Sequence, residues 1–312
     1  MLDSSWLGRR VTLRRVLDRS PDGGVLFGDV VGDLISLSDE TALLDSRAGV
    51  VEVQRDRVVA AKLAWPSTAD ELALEAVAAR GWRPEQSGEI GGWLLRAASG
   101  FTGRANSVLP LRSPGVPLDD ALVAARAWYA ERALPLRIQV PLDARRLLDA
   151  GLGERGWRAD PDVHVLAARL DTLPDAPSGS ATPVSILGAP GPQWFARYRD
   201  GAGATDAARA LLTRHERVGF ACVTLDGEVV AIGRGAVDDG WLGITAVEVA
   251  PELRRHGLAT DVMRALWQWG AATGARRSYV QVSSDNGRAL ALYERLGYWH
   301  HHDYRYRQDP SS

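Results

Sequence analysis

Val247-Glu-Val-Ala-Pro-Glu-Leu-Arg254-Arg-His-Gly257-Leu-Ala259-Thr260 is the stretch whose reading decides the fold. Its pattern predicts a strand ending at Val249, a short turn, and a helix starting near Leu258. Backbone N–H groups at a helix N-terminus have no intrahelical acceptor, and the helix dipole adds partial positive charge there. A diphosphate is well matched to such a spot. Gly257 lets an anion approach the backbone closely, and Ala259 is small enough for the same purpose. Arg254 and Arg255 add cationic character.

The flanks extend this strand–turn–helix joint into an α/β domain. Asp226-Gly227 marks a hairpin and Asp238-Asp239-Gly240 a second turn leading into a strand from Trp241 to Val249. A helix over Leu258–Thr273 is followed by a strand over Ser278–Val282, a helix over Gly287–Leu296 and a last strand near Asp303–Arg307. An earlier segment repeats part of this order. Ile138-Gln-Val with Asp143 and Gly156-Trp157 parallels Val280-Gln-Val with Asp285 and Gly297-Tyr298, at offsets of 142 and 141 residues. Two related halves are therefore expected.

Further upstream, residues 1–62 alternate short β-like runs with turn signals at Pro21–Gly24, Gly32-Asp33 and Ser46–Gly49. Many short strands in so short a segment predict a small barrel of the Src-homology-3/Tudor type. The segment holds nine Lys/Arg and ten Asp/Glu, so its Arg9, Arg10, Arg14 and Arg15 cluster reads as a solvated face, and nucleic-acid binding is not expected. Pro174, Pro177, Pro183, Pro190 and Pro192, with Gly179, Gly188 and Gly191, predict a break in regular structure.

The chain has 312 residues, 46% hydrophobic and 24% charged, with a net charge of −2. That composition suits a globular protein of about two domains. It offers no electrostatic case for nucleic acid or an anionic membrane as main partner. No run of 18 apolar residues occurs and the N-terminus has no signal-like apolar core, so a cytoplasmic protein is expected. The single cysteine, Cys222, excludes internal disulfides and reads as a small buried hydrophobe. His300-His301-His302 reads as part of the closing strand, and no metal is expected.

Arg254-x-x-Gly257-x-Ala259 matches the pyrophosphate signature of the GNAT acyltransferases, Arg/Gln-x-x-Gly-x-Gly/Ala. Val249-x-Pro251 stands ahead of it at that family's spacing. Asn286-x-x-Ala289-x-x-x-Tyr293-x-x-x-Gly297-Tyr298 resembles the family's strand–helix closure. Residues 183–308 are thus similar to a GNAT catalytic domain, and the layout of the whole chain resembles actinobacterial members with a small N-terminal barrel. The resemblance implies an α/β (α+β) GNAT fold in tandem halves. Its parts would be a barrel over 1–64, a degenerate GNAT-like half over 67–170, a linker over 171–182 and an acetyl-CoA-binding catalytic domain over 183–312.

The resemblance also assigns roles. The backbone at Val247 and Val249 would pair with the pantetheine arm. Arg254 and the amides of Arg255, His256, Gly257, Leu258, Ala259 and Thr260 would hold the pyrophosphate, and Asn286 the cofactor arm. Tyr293 would protonate the departing thiolate, which is costly in a low-dielectric cleft unless protonated or hydrogen-bonded. Glu248 alternates with Val247 and Val249 and is the candidate base. Ribosomal-alanine acetyltransferases of this family carry a Glu five residues before the Asn; here Gln281 cannot accept a proton, which puts that substrate class in doubt. The acceptor would be a small-molecule or protein amine, with a homodimer as a possible assembly. The competing reading is a CoA-binding sensor or scaffold without turnover. In the earlier half, Ser113-Pro-Gly-Val-Pro117 replaces the diphosphate run, and its prolines remove needed donors. That half is expected not to bind CoA.

Overall fold

The computed structural model describes residues 2–19, 22–173, 182–201 and 205–311, which divide into two compact units. One comprises residues 1–67 with 168–174; the other comprises residues 68–167 and 175–312. The expected linker falls largely on residues outside the described set, as does Pro21 of the first turn. Among the described residues no helix is long and apolar enough to cross a membrane.

The first unit is an antiparallel sheet of β1 (Arg10–Arg19), β2 (Val25–Leu37), β3 (Thr41–Ser46), β4 (Gly49–Gln54) and β5 (Val58–Leu63), in the order β4-β3-β2-β1-β5. Leu2, Val11, Leu13, Leu34, Ala42, Leu44 and Val53 form its buried core. The expected barrel is not closed: β4 and β5 are the outer strands and do not pair with each other among the described residues. The 3-10 turn Arg55–Arg57 sends the chain from one outer edge to the other, where β5 pairs with β1. The expected turn at Gly32-Asp33 is also absent, because β2 runs straight through it against Asp45 and Ser46. Gly32 serves close approach instead, since a Cβ there would lie 2.6 Å from the Asp45 carbonyl oxygen.

The second unit contains, in chain order, α1 (Thr68–Gly81), β6 (Gln86–Ile90), β7 (Trp93–Ala97), β8 (Val108–Pro110), α2 (Leu118–Ala130), β9 (Arg137–Pro141), α3 (Arg146–Glu154), β10 (Arg158–Ala159) and β11 (Val163–Arg169). It continues with β12 (Val184–Leu187), α4 (Pro192–Arg197), α5 (Asp206–Thr213), β13 (Val218–Leu225), β14 (Glu228–Asp238) and β15 (Trp241–Val249). Then come α6 (Leu258–Ala272), β16 (Arg277–Ser283), α7 (Gly287–Arg295) and β17 (Trp299–Gln308). One sheet runs β12-β13-β14-β15-β16-β11-β17-β9-β8-β7-β6, with β10 beside β17.

The repeat is visible in this sheet. Each half has an antiparallel meander ending in a parallel pair, β8 on β9 and β15 on β16. The two halves then exchange their closing strands. β11, which follows the first half, lies beside β16 of the second, and β17, which ends the second half, pairs with β9 of the first. The sheet is therefore continuous across the halves.

From residue 182 on, the end of the proline-rich stretch forms regular elements that its composition does not suggest. Pro192 occupies the first turn of α4, where its missing N–H costs nothing. Thr205 caps α5 by accepting from the Ala208 amide at 3.2 Å. Trp194, Phe195, Leu211 and Leu212 from these helices join Trp82, Phe220 and Cys222 in one core, so Cys222 is a buried hydrophobe as expected.

Candidate functional site

The hairpin turn Asp239-Gly240, with φ of 48° and 72°, launches β15. β15 pairs in parallel with β16 from Trp241↔Arg277 to Ile244↔Val280, and the pairing stops there. A bulge accounts for the end of it. Ala246 has a left-handed φ of 56°, and the register on β14 slips from Arg234↔Thr245 to Ile232↔Glu248. An extra residue in one strand bends it and increases its twist. Beyond Ile244 and Val280 the two strands are no longer paired, and the interval between Thr245–Val249 and Gln281–Ser283 is the candidate slot.

The chain leaves the slot through a 3-10 turn, Pro251–Leu253. Arg255 and Gly257 then adopt φ of 71° and 86°, and Gly257 is the N-cap of α6 without a side-chain cap bond. The first helix bond is donated by Asp261 to the Gly257 carbonyl at 3.1 Å. Among the described residues, no acceptor receives the amides of Arg255, His256, Gly257, Leu258, Ala259 and Thr260. Consecutive amides around left-handed residues form a concave anion site. The strain of a left-handed arginine, about 1–3 kcal/mol, is the kind of cost found at ligand-holding loops.

The side chains of this loop play a different part. The Arg254 Nε donates to the Val249 carbonyl at 3.2 Å, so its guanidinium braces the loop against the strand end. The His256 Nδ1 lies 3.0 Å from the Arg254 carbonyl. Val247 and Val249 are half-buried along the slot.

Across the slot, Asn286 is the N-cap of α7, accepting through Oδ1 from the Ala289 amide at 3.1 Å. Tyr293 lies further along α7, buried, with its ring edge-on to Tyr298 at 5.7 Å. No group among the described residues bonds its hydroxyl. Burial pushes the phenol up to about 12, against a smaller opposing effect of Arg104. Such a phenol keeps its proton at neutral pH and can give it up only to a strongly basic neighbour.

Glu248 does not point into open solvent. Its Oε2 accepts from the Arg199 amide at 2.9 Å. Tyr198 and Arg199 close this side, with Arg199 4.8 Å over the Phe101 ring and Phe101 6.2 Å from Tyr198. Arg104 reaches in from the first half. Its Nε donates to Gln281 Oε1 at 2.7 Å and its Nη2 to the Gln281 carbonyl at 3.2 Å. The polar run Gly100–Ser107 thus supplies one wall. Arg104, Tyr198 and Arg199 carry no motif: the polarity of its segment is the only signal for the first, and nothing in the sequence around the other two marks them.

A family model described as "Probable histone acetyltransferase Rv0428c C-terminal" matches residues 68–307. The chain belongs to this family. The probable histone acetyltransferase Rv0428c of Mycobacterium tuberculosis is 32% identical to it over 97% of this chain and 96% of its own length. A GCN5-related N-acetyltransferase from Kribbella flavida shares the fold at a TM-score of 0.61 and 21% identity, covering 78% of this chain and 96% of its own. A tandem GNAT protein from the clavulanic acid biosynthesis pathway shares it at a TM-score of 0.53 and 14% identity, covering 88% and 84%. Membership makes this chain an acyltransferase, and the tandem fold agrees with the repeated halves.

Proposed function

We propose that the chain transfers an acetyl group from acetyl-CoA to a primary amine by direct attack in a ternary complex. The observation that carries this reading is the set of six amides, Arg255 to Thr260, without protein acceptors at the start of α6. They would hold the diphosphate, with Arg254 bracing the loop. The backbone at Val247 and Val249 would pair with the pantetheine arm, and the Asn286 side chain would bind it beside the helix it caps.

The amine nitrogen forms a bond to the thioester carbon as the carbon–sulfur bond breaks. The amine's proton passes to a base and the thiolate takes one from the Tyr293 hydroxyl. Burial keeps the Tyr293 hydroxyl protonated at neutral pH and so available as a donor to the departing sulfur. Glu248 is the proposed base: its carboxylate, which holds the Arg199 amide through Oε2, would take the proton directly or through a water.

Calorimetry with acetyl-CoA followed by turnover against a panel of amines tests the proposal. Acetyl-CoA binding with no transfer to any amine, and none to a lysine peptide, would favour the sensor reading instead. Failure to bind acetyl-CoA would remove the proposal altogether.

A further inference from the structure

His164 on β11 and His300 and Asp303 on β17 meet on one face of the sheet, outside the slot. The Asp303 Oδ1 accepts from the His164 Nδ1 at 2.6 Å and from the His300 Nε2 at 2.7 Å. The two imidazoles stand 5.5 Å apart. One candidate ligand atom from each of the three side chains lies within 4.8 Å of the other two.

A bulge creates this meeting. In a regular strand, His300 and Asp303 would face opposite sides, because they are three residues apart. The register between β11 and β17 slips between Val165↔His302 and Leu166↔His300, which leaves His301 as the extra residue. His300 and Asp303 therefore oppose Leu166 and His164, two residues apart on β11, and share their face. The other two histidines of the tract are buried and spoken for. The His302 Nε2 lies 2.9 Å from Glu75 Oε1, and the His301 and His302 Nδ1 atoms lie 2.7 Å apart.

We propose that His164, His300 and Asp303 form a binding site for a divalent transition ion of the zinc class. Two imidazole nitrogens and one carboxylate oxygen suit zinc, cobalt or nickel, and are too nitrogen-rich for magnesium or calcium. Metal–ligand bonds of about 2.0–2.2 Å place tetrahedral ligand atoms about 3.3 Å apart. To reach that spacing the carboxylate must withdraw from its 2.6 and 2.7 Å contacts and the imidazoles, whose ligand atoms lie within 4.8 Å of each other, must rotate. Both imidazoles then shift their N–H to the opposite ring nitrogen and offer a lone pair. The three side chains are about one-third exposed, at 28%, 37% and 29%, so the ion has an entry path and water completes its shell. The site joins β11 to β17, the two exchanged strands. An ion there would staple the seam between the halves, and its effect is on stability rather than on acetyl transfer.

The test uses untagged full-length protein, stripped with a chelator and titrated with Co2+ and Zn2+. About one equivalent of Co2+ should bind with a visible absorption band of reduced coordination number, and Zn2+ should displace it and raise the Tm. His164→Ala and Asp303→Asn should each weaken Co2+ binding by more than about tenfold, whereas His256→Ala should leave it unchanged. A wild-type Co2+ spectrum identical to that of the aqueous ion overturns the proposal. Binding that survives both triad substitutions does so equally.

Discussion

The two parallel strand pairs of the second unit have the same construction and opposite chemistry. Val108↔Ile138 in the first half and Ile244↔Val280 in the second are both the last paired residues before the strands part, and a glutamine follows each, Gln139 and Gln281. In the second half, Gln281 is part-buried and accepts directly from Arg104, through its side chain at 2.7 Å and its carbonyl at 3.2 Å. In the first, Gln139 is buried in a chain of bonds. It donates to Glu75 Oε2 at 2.6 Å and accepts from the buried Arg96 at 2.8 Å, while Arg96 also donates to Ser107 Oγ at 2.8 Å. Charged groups held inside the fold in this way fill the gap that a ligand would otherwise enter.

The helix starts differ as well. α6 begins at a left-handed glycine after Arg254, Arg255 and His256. α2 begins after Pro117 and carries Asp119 and Asp120 in its first turn, which repel an anion where α6 attracts one. The Arg145 guanidinium beside it is tied to the carbonyls of Pro110, Leu111 and Ala144. An open cleft of ≈ 670 Å³ does lie between residues 112–118 and 143–148. Space is therefore present in the first half too, and the expected difference in diphosphate binding rests on donors and charge.

The contrast is broken most directly by stoichiometry and by exchange of caps. Calorimetry should give one acetyl-CoA per chain, and two would erase the distinction between the halves. Gly257→Pro imports the cap residue of α2, but proline holds φ near −65° where 86° is needed and removes a donor. We expect a loss of acetyl-CoA affinity of at least about 100-fold, roughly 2.7 kcal/mol. Unchanged affinity would show that the amides are not the binding element.

Tyr293→Phe separates chemistry from binding. Turnover should fall by about 100-fold, while the Kd for acetyl-CoA changes little. Because burial raises the phenol to about 12, the wild type should show no alkaline loss of its acid below about pH 10. Arg104→Leu sharpens the role of the wall supplied by the first half. It removes a charged hydrogen-bond donor from Gln281 and should lower kcat/KM for the amine by about tenfold, with acetyl-CoA affinity preserved.

The smallest effect concerns the filled half. Burial raises Glu71 to about 7, so the folded protein holds a proton there that the unfolded chain releases near pH 4.5. Its contribution to stability is present below the unfolded value and is lost as pH rises through about 7. Glu71→Gln should accordingly raise the Tm by about 2–4 °C at pH 8 and by less at pH 5. An equal shift at both pH values would show that Glu71 titrates normally.

Much of this was legible in residue order. β15 runs from Trp241 to Val249 as its pattern indicates, and α6, β16 and α7 lie within a residue or so of expectation. Their signals are local: turn residues, periodicity and a glycine cap. The break expected through Pro192 ends sooner, because Pro192 starts a helix instead of ending one, a distinction that depends on its position within the turn. Tudor-like closure failed for a similar reason, since strand rhythm does not say which edges pair.

Sequence by itself determined the strand–turn–helix joint, the free donors at Gly257 and the pairing of two related halves, because each depends on neighbours within a few residues. Only the tertiary structure decided that β11 and β17 change places, that Ala246 and His301 are bulges, and that Arg104 reaches Gln281 from the other half. The strand exchange, the His301 bulge and the Arg104 contact join residues more than a hundred positions apart, and the Ala246 bulge is a register slip within a hairpin; no local pattern encodes either.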